Sequence, residues 1–370
     1  MLLVVASVGL SVGALELVLR VGVERYRCDD RVGWTYRRGA RVFVFNRGRE
    51  FAHFVSFNRD GWRDRALESG ADPGAFRVVL MGDSFGAGLQ VPAEETFGRV
   101  LETRLNADAT SGPRIEVWNA SVDGFGTGQV LRLFEERVAS LEPRLVFLGL
   151  FLLNDLSDNV FEAGGYNHHL ALRCGRPYYQ LTPTGELVEQ DAGAPLRQRP
   201  GSRLNRLLRR SALYANFFPA AGRSGASFED WDVITGANPA HVAAAWQLTR
   251  ALVSDLDRKV SQGGGKLVLL LLPSVEEASV GPASDSAAAA DRERLDRAHA
   301  LSLAFVRESG IAHVDLYQAL RGAIGGGERP YFSGDMHWNT RGHALVAETL
   351  TTWLAEHCAE LDVPLRTCGP

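Results

Sequence analysis

Short apolar runs alternate with amphipathic segments along most of this chain of 370 residues. The apolar runs predict buried strands near residues 77–82, 114–119, 144–152, 266–272 and 311–316. The amphipathic segments predict helices near residues 96–106, 127–141, 237–262, 291–309 and 340–358. Such an alternation predicts an α/β fold, in which a mainly parallel sheet is covered by helices on both faces.

The composition adds two constraints to this picture. A hydrophobic content of 45% is ordinary for a globular domain with a full core, and no internal repeat is visible. The net charge of −4 gives no reason to expect a nucleic-acid partner. The length would allow two domains, but one α/β domain with an insertion fits the strand pattern better.

The first predicted strand ends in the sequence Gly82-Asp83-Ser84. This arrangement puts a serine at the carboxyl end of a strand, where α/β sheets carry their reactive groups. A serine hydroxyl is a poor nucleophile unless a base takes its proton, and the best candidate for that base is His337. Asp83 is interpreted as a structural residue that holds the loop. Alone, a Gly-Asp-Ser sequence is often an ordinary turn.

Two later strand ends offer donors for the negative oxygen of a tetrahedral intermediate. Gly124 follows the second predicted strand, and Asn154 follows the third. Each has a purely structural alternative, because Gly124 suits a turn with positive φ and Asn154 suits a cap at a strand end. Asn119 is expected to tie down its own turn. Since the carboxyl ends of parallel strands share one edge of the sheet, we expect the four segments to converge there.

These segments, in this order, resemble the SGNH or GDSL family of serine esterases and lipases from about Phe57 to the last helix. The resemblance implies a flavodoxin-like three-layer α/β/α fold and Ser84 as nucleophile. It also implies His337 as general base and Asp335 as the carboxylate that orients it. The oxyanion hole would comprise the Ser84 N–H, the Gly124 N–H and Asn154. The spacing Asp-x-His departs from the Asp-x-x-His of many members, which leaves the role of Asp335 open.

Two further segments look like those of a membrane-associated branch of the same family. They are the lead-in from Phe57 to Arg63 and the helix start from Val91 to Phe97. No cofactor or metal is expected, because the glycine-rich turns match neither a dinucleotide nor a phosphate-binding pattern. Asp335, His337 and His343 lack zinc-like spacing, as do His168 and His169. His343 is expected to pack or cap within the last helix.

A long insertion at about residues 156–236 is expected to shape access for the substrate. Within it, residues 197–210 carry six arginines and are typical of an amphipathic helix from Ser202. That helix would contact anionic headgroups or an acidic substrate, or would present an ordinary solvated face. Phe217, Phe218 and Trp231 would line an acyl or sugar pocket, or belong to the core.

Residues 1–23 form an apolar segment that we interpret as an uncleaved membrane anchor or a signal-like segment, with a buried helix as the alternative. Residues 24–370 would then form the hydrolase domain. Arg20, Arg25, Arg27 and Arg31 follow the uninterrupted apolar run from Leu2 to Leu15 and favour a cytoplasmic domain, whereas the family resemblance favours an extracytoplasmic location, which we prefer. Cys28, Cys174, Cys358 and Cys368 allow three full pairings, and free thiols are equally compatible.

The sequence therefore predicts a serine esterase that cleaves acyl esters through a covalent acyl-enzyme. Its substrate would be a small acyl ester, a lipid or an acylated glycan. One alternative is an O-acyltransferase that passes the acyl group to a carbohydrate hydroxyl. A third hypothesis is a non-catalytic envelope binding protein, although the full set of matching residues argues against it.

Overall fold

The computed structural model describes residues 2–22, 24–46, 48–66, 72, 74–107, 113–160, 168–190, 239–279, 286–365 and 368. The central sheet contains β5 (Phe76–Met81), β6 (Ile115–Asn119), β7 (Leu145–Leu150), β10 (Lys266–Leu271) and β11 (Ala312–Asp315). The remaining strands form hairpins: β1 (Tyr26–Asp29) with β2 (Gly33–Tyr36), β3 (Arg41–Phe45) with β4 (Ala52–Ser56), and β8 (Tyr178–Leu181) with β9 (Leu187–Gln190).

The described helices follow in chain order. They are α1 (Leu2–Gly22), α2 (Ser84–Ala87), α3 (Phe97–Asn106), α4 (Thr127–Leu133), α5 (Leu152–Asn159), α6 (His168–Cys174), α7 (Pro239–Gln262), α8 (Val275–Ser279), α9 (Ser286–Ser309), α10 (Tyr317–Gly325) and α11 (Thr340–His357). Helix α4 continues through a wider turn at Phe134–Val138 and a tighter one at Ala139–Leu141.

All neighbouring strands of the central sheet are parallel, in the order β11-β10-β7-β5-β6. The first sheet strand, β5, therefore lies between the second and the third, which is the flavodoxin-like order. Helices flank this sheet: α3 packs on β6 and α11, and α7 packs on β10, α4 and α5. The predicted α/β/α fold is confirmed. From β5 the chain first adds β6 on one side and then adds β7, β10 and β11 on the other. Open sheets of this kind place their sites at such a switch in strand order.

The strands are held in place by burial on both faces. Every residue of β6 is buried, as are four consecutive residues of β5 from Val78 to Met81. Two-sided burial explains why these strands appear in the sequence as continuous apolar runs and not as alternating patterns. The five predicted strands and the five predicted helices are present within a few residues of their expected bounds. The hairpins and the helices α2, α5, α6, α8 and α10 were not predicted.

Among the side chains of the N-terminal helix α1 that the structure describes, the exposed large apolar ones are those of Val8, Leu10, Val12, Leu15 and Leu17. Among the described residues, no helix combines the length and the apolar character that crossing a membrane would require. The arginine-rich segment 197–210 lies outside the described residues, as do Phe217, Phe218 and Trp231.

Both pairs of cysteines form disulfides in the structure. Cys28 on β1 bonds to Cys174 at the end of α6, and Cys358 bonds to Cys368 in the C-terminal tail. The first bond therefore ties the first hairpin to the part of the chain that follows the predicted site residue Asn154. The second ties the tail to the end of α11.

Candidate active site

The end of β5 turns sharply before it enters α2. Gly82 has a φ of +148°, and a Cβ at this position would lie 3.2 Å from the Gly149 carbonyl oxygen on β7. Asp83 then caps α2, because its Oδ1 accepts the Phe85 N–H at 3.0 Å. Burial raises the pKa of Asp83 to about 6. This turn makes Ser84 the first residue of α2, at the sheet edge that the sequence predicted.

The loop after α10 brings His337 to Ser84. The Ser84 Oγ lies 2.7 Å from the Nε2 of His337, across a separation of 253 residues in the chain. The imidazole is only 8% exposed, and its ring centroid lies 5.0 Å from that of Phe85. The Phe332 N–H donates to the His337 carbonyl at 3.1 Å and so closes the loop. The base candidate is thus held in an apolar setting, within hydrogen-bond reach of the serine.

Asp335 occupies the other side of the same imidazole. The Nδ1 of His337 is hydrogen bonded to the Oδ1 of Asp335. Burial tends to raise the pKa of Asp335, but the hydrogen bonds and the charge interaction with His337 outweigh it and hold that pKa below its usual range. Asp335 is therefore an ionised carboxylate near neutral pH. The shorter Asp-x-His spacing does not prevent contact between the two side chains.

The chain after β6 runs beside the turn that carries Ser84. Ala120 N–H donates to the Leu80 carbonyl at 2.9 Å, and Val122 N–H donates to the Gly82 carbonyl at 3.0 Å. Gly124 then adopts a left-handed φ of +66°. Within the described part of the chain, neither the Ser84 N–H nor the Gly124 N–H has a hydrogen-bond acceptor. Both groups remain available to a ligand.

Asn119 ties down the same turn, as expected. Its Oδ1 accepts the Ser121 N–H at 3.1 Å, and its Nδ2 donates to the Gly86 carbonyl at 2.8 Å. Gly86 lies so close to the turn that a Cβ there would meet the Ser121 Oγ at 2.2 Å. The β6 turn and α2 are therefore packed together as one unit.

Asn154 lies in the first turn of α5, and not on the end of the strand, because β7 ends at Leu150. Its Nδ2 donates to the Oδ2 of Asp83 at 3.4 Å, while its buried Oδ1 has no partner among the described residues. The side chain is therefore turned toward the residue that precedes Ser84. Asp155 beside it accepts the Phe151 N–H at 2.7 Å. Burial raises the pKa of Asp155 well above its ordinary value, and the nearby charges of Asp83 and Asp158 raise it further.

Two buried basic residues, Arg63 and His343, pack against the chain that follows α2. The Nη1 of Arg63 donates to the Ala87 carbonyl at 3.1 Å and also to the Gly88 carbonyl, while Nη2 donates to the Val91 carbonyl. Burial lowers the pKa of Arg63 to about 10. His343 packs inside α11, as expected, and its Nδ1 accepts the Phe97 N–H at 3.2 Å. The contacts of Arg63 were not predicted, because no local pattern in the sequence marks a buried cation.

Across the described ranges, no group of three or more His, Cys, Asp or Glu side chains is arranged to hold a metal ion. The assembled groups are instead a serine, an imidazole and a carboxylate joined by hydrogen bonds, next to unpaired N–H donors. This combination is suited to acyl transfer through a serine ester. The fold and these groups together are similar to those of the SGNH hydrolase type.

Comparison with family models gives a match over residues 224–364 to the SGNH hydrolase-like domain of the acetyltransferase AlgX. The match confirms the SGNH/GDSL recognition and contains Asp335 and His337, but it begins well after the three other predicted site residues, Ser84, Gly124 and Asn154. The membrane-associated branch stays a prediction. Curated proteins give no match.

Solved structures with a similar fold include TesA, at 15% identity, 75% coverage of this chain, 97% coverage of that chain and a TM-score of 0.39. An acetyl xylan esterase, AlAXEase, shares 12% identity over 75% of this chain and 99% of its own, with a TM-score of 0.41. An acetylxylan esterase of Geobacillus stearothermophilus, Axe2, shares 13% identity over 75% of this chain and 94% of its own, with a TM-score of 0.41. Similarities at this level assign no substrate.

Proposed function

We propose that this protein is a serine esterase that cleaves acyl esters through a covalent acyl-enzyme on Ser84. The observation that carries this proposal is the distance of 2.7 Å between the Ser84 Oγ and the His337 Nε2. The other ring nitrogen of His337 is hydrogen bonded to Asp335, which leaves Nε2 as the nitrogen that faces the serine. The hydrogen bonds thus connect the nucleophile Ser84 to the base His337, and His337 to the orienting carboxylate of Asp335, as acyl transfer requires.

In the first half of the proposed reaction, the His337 Nε2 takes the Ser84 proton while Oγ bonds to the carbonyl carbon of the ester. The tetrahedral intermediate collapses as the carbon–oxygen bond to the alcohol breaks, and His337 gives its proton to the departing alcohol oxygen. In the second half, His337 takes a proton from water, which attacks the acyl-enzyme. Ser84 then leaves with the proton and the free acid is released. The ionised Asp335 stabilises the imidazolium in both halves.

The negative oxygen of each intermediate needs fixed donors, which we assign to the Ser84 N–H, the Gly124 N–H and the Asn154 Nδ2. The first two have no acceptor among the described residues. Asn154 uses one amide hydrogen toward Asp83, so the second remains free for the substrate. Donors that are oriented before the substrate arrives stabilise the developing charge without reorganisation.

A cavity of about 500 Å³ lies beside the loop of Asp335 and Met336. Its walls combine apolar and aromatic side chains, such as Val275 and Phe332, with the carboxylate of Glu276. The volume lies within the range of small-molecule sites. We propose that it receives the acyl or alcohol part of the ester.

The second candidate is an O-acyltransferase that delivers the same acyl group to a carbohydrate hydroxyl. The observation that favours it is the match of residues 224–364 to a domain described as that of an acetyltransferase. The two activities differ only in the acceptor that attacks the acyl-enzyme.

We also propose an extracytoplasmic location with membrane association through residues 1–23. The two disulfides support an oxidising compartment.

The deciding experiment labels the folded protein with a fluorophosphonate and measures hydrolysis of a short acyl ester. Ser84→Ala should lose the labelling and at least about three orders of magnitude in turnover. Ser121→Ala is the matched control, because Ser121 is a fully buried serine in the neighbouring turn, and it should keep both signals. Labelling that survives in Ser84→Ala would refute Ser84 as the nucleophile.

Product analysis then separates the two candidate activities. Each reaction is run with and without a polyol acceptor, and the free acid and the acylated polyol are quantified. Hydrolysis predicts release of acid at a rate that the acceptor does not change. Transfer predicts acylated polyol at the expense of acid, and a total turnover that rises with the concentration of the acceptor.

A further inference from the structure

We propose that the two N-terminal hairpins act as a brace that positions the candidate site, and that Trp34, Tyr36 and Glu50 are its positioning residues. The β1–β2 hairpin holds the turn of Gly124, and the β3–β4 hairpin holds the loop of Asp335 and His337. This inference rests on the proposed function, since it assigns these side chains to the same site. Neither hairpin pairs with the central sheet in the described structure.

The hairpin β1–β2 grips Asp123, the residue before Gly124. The Tyr36 hydroxyl donates to Oδ1 of Asp123 at 2.9 Å and accepts the Asp123 N–H at 2.9 Å. The Tyr26 hydroxyl donates to Oδ2 at 2.7 Å, and Arg25 lies 3.3 Å from the same oxygen. The carboxylate and the backbone N–H of Asp123 are therefore both bonded to residues of this segment.

Trp34 fixes the direction of the Gly124 N–H. Its Nε1 donates to the Asp123 carbonyl oxygen at 3.1 Å. This carbonyl and the Gly124 N–H belong to one peptide group, which is planar and trans, so they point in opposite directions. When the carbonyl is held toward Trp34, the N–H must point away from it. The hydrogen bond from Trp34 thus orients the proposed oxyanion donor without touching the substrate.

The hairpin β3–β4 grips the other side of the site through Glu50. Its Oε1 accepts the Ser333 N–H at 2.5 Å, and its Oε2 accepts the Gly334 N–H at 2.9 Å. Asn46 holds this carboxylate in turn, since its Nδ2 donates to Oε2 at 2.8 Å. Gly334 directly precedes Asp335. One carboxylate therefore binds two successive N–H groups of the acid–base loop, and charge-assisted hydrogen bonds of this kind are among the strong ones.

A ring contact supports the same connection. The ring centroids of Phe51 and Phe332 lie 5.2 Å apart, next to the hydrogen bonds of Glu50. Several side chains of the two hairpins, among them Trp34, Tyr36 and Val55, are also buried in the core. Burial alone would make them structural, so the test must separate loss of stability from loss of positioning.

The test compares Tyr36→Phe and Glu50→Ala with wild type in steady-state kinetics and in proton NMR. Each variant should lower kcat by roughly ten- to a hundredfold, because small displacements of reacting groups have effects of this size. KM should stay within about twofold, since uniform substrate binding is not what changes. In Tyr36→Phe the rate of phosphonylation should fall in step with kcat/KM, because the phosphoryl oxygen uses the same donors. Glu50→Gln, which retains one acceptor oxygen, should recover part of the loss.

The NMR readout does not depend on turnover. The hydrogen bond between Nδ1 of His337 and Asp335 should give a low-field proton signal in the wild-type protein, and Glu50→Ala should weaken or shift it. The controls are Tyr317→Phe, which removes a buried hydroxyl that bonds to Asp296 and Arg321, and Glu135→Ala, which removes a carboxylate that pairs with Arg132 and Lys259. Both should leave kcat and the proton signal unchanged.

Unchanged kcat and an unchanged proton signal in folded Tyr36→Phe and Glu50→Ala would overturn the brace. So would a loss in the controls equal to the loss in the variants. The proposed function fails in a different way, namely when wild type neither turns over esters nor reacts with the phosphonate. In that case the change of the low-field signal in Glu50→Ala still supports or refutes the brace.

Discussion

The Oδ1 of Asp335 accepts the backbone N–H of His337 at 3.0 Å and is also hydrogen bonded to the Nδ1 of the same residue. One carboxylate oxygen therefore fixes both the main chain and the ring of His337. This double contact requires an aspartate two residues before the histidine, because a side chain of that length reaches the N–H two positions ahead. The Asp-x-His spacing is thus compatible with the orienting role that the family resemblance implied for Asp335.

We expect Asp335→Asn to lower kcat by up to about 10⁴-fold with little loss of stability. The amide keeps the shape of the side chain, but it can offer a hydrogen to Nδ1 and so favour the wrong tautomer of His337. Steady-state kinetics and thermal unfolding measure the two effects.

The matched control is Asp315→Asn, because Asp315 also pairs with an imidazole, that of His299, at 3.0 Å outside the candidate site. It should leave kcat within a few-fold of wild type. Near-normal turnover in Asp335→Asn would remove Asp335 from the mechanism and leave a pair formed by Ser84 and His337.

The sheet could be predicted from the sequence because its strands are buried on both faces, which makes them continuous apolar runs such as the one that ends at Met81. Ser84 and His337 could be predicted because each lies beside a short motif. The hairpins were not predicted, since strands of four or five residues, such as that ending at Tyr36, give too few positions for a periodic pattern.

Local sequence patterns also could not predict contacts between residues that are distant in the chain. The hydrogen bond from Tyr36 to Asp123 joins residues 87 apart, and the one from Gly334 to Glu50 joins residues 284 apart. A single sequence contains no signal that relates such positions. Asn154 was expected at a strand end but lies in the first turn of α5, because the apolar run from Leu145 to Leu153 includes both the strand and the start of the helix.

Asn154→Ala should lower kcat by roughly 10²–10³-fold, which is the usual effect of removing one oxyanion donor, while KM changes less. The measurement is steady-state hydrolysis of a short acyl ester. Asn159→Ala is the matched control on the same helix, because the Asn159 side chain bonds to Thr249 and to the Gly128 N–H. That variant should lower stability but not the chemical step. If Asn154→Ala raises KM and spares kcat, the amide binds substrate and does not stabilise the intermediate.

The folded protein should lose stability below pH 6.5 through His343. Burial lowers the pKa of His343 to about 3, and the charges of Arg63 and His337 act in the same direction. The unfolded chain takes up this proton near pH 6.5, whereas the folded chain does not until about pH 3. Between those values the unfolded state binds more protons, so stability falls as the pH falls.

One such proton corresponds to about 1.4 kcal/mol per pH unit. In His343→Asn the slope of unfolding free energy between pH 6.5 and 5 should therefore be smaller by roughly that amount, even if the variant is less stable at every pH. Denaturant titrations at several pH values give both slopes. Equal slopes in wild type and variant would show that His343 accepts a proton in the folded state.

Deletion of residues 1–23 should leave a soluble domain with kcat and KM close to those of the full chain. The large apolar side chains that the structure describes between Val8 and Leu17 are in solvent, with Leu10 at 75% and Leu17 at 61% exposure, so their removal opens little of the core. The positioning residues of the brace begin after this segment and remain in the truncated protein.

The experiment compares purified proteins of both lengths by thermal unfolding and by binding to lipid vesicles. Full-length protein should bind the vesicles and the truncated protein should not, because apolar side chains in solvent gain free energy when they enter a bilayer. A truncated protein that unfolds or precipitates would instead make α1 a packed element of the domain, and equal vesicle binding by both lengths would move the membrane contact to another part of the chain.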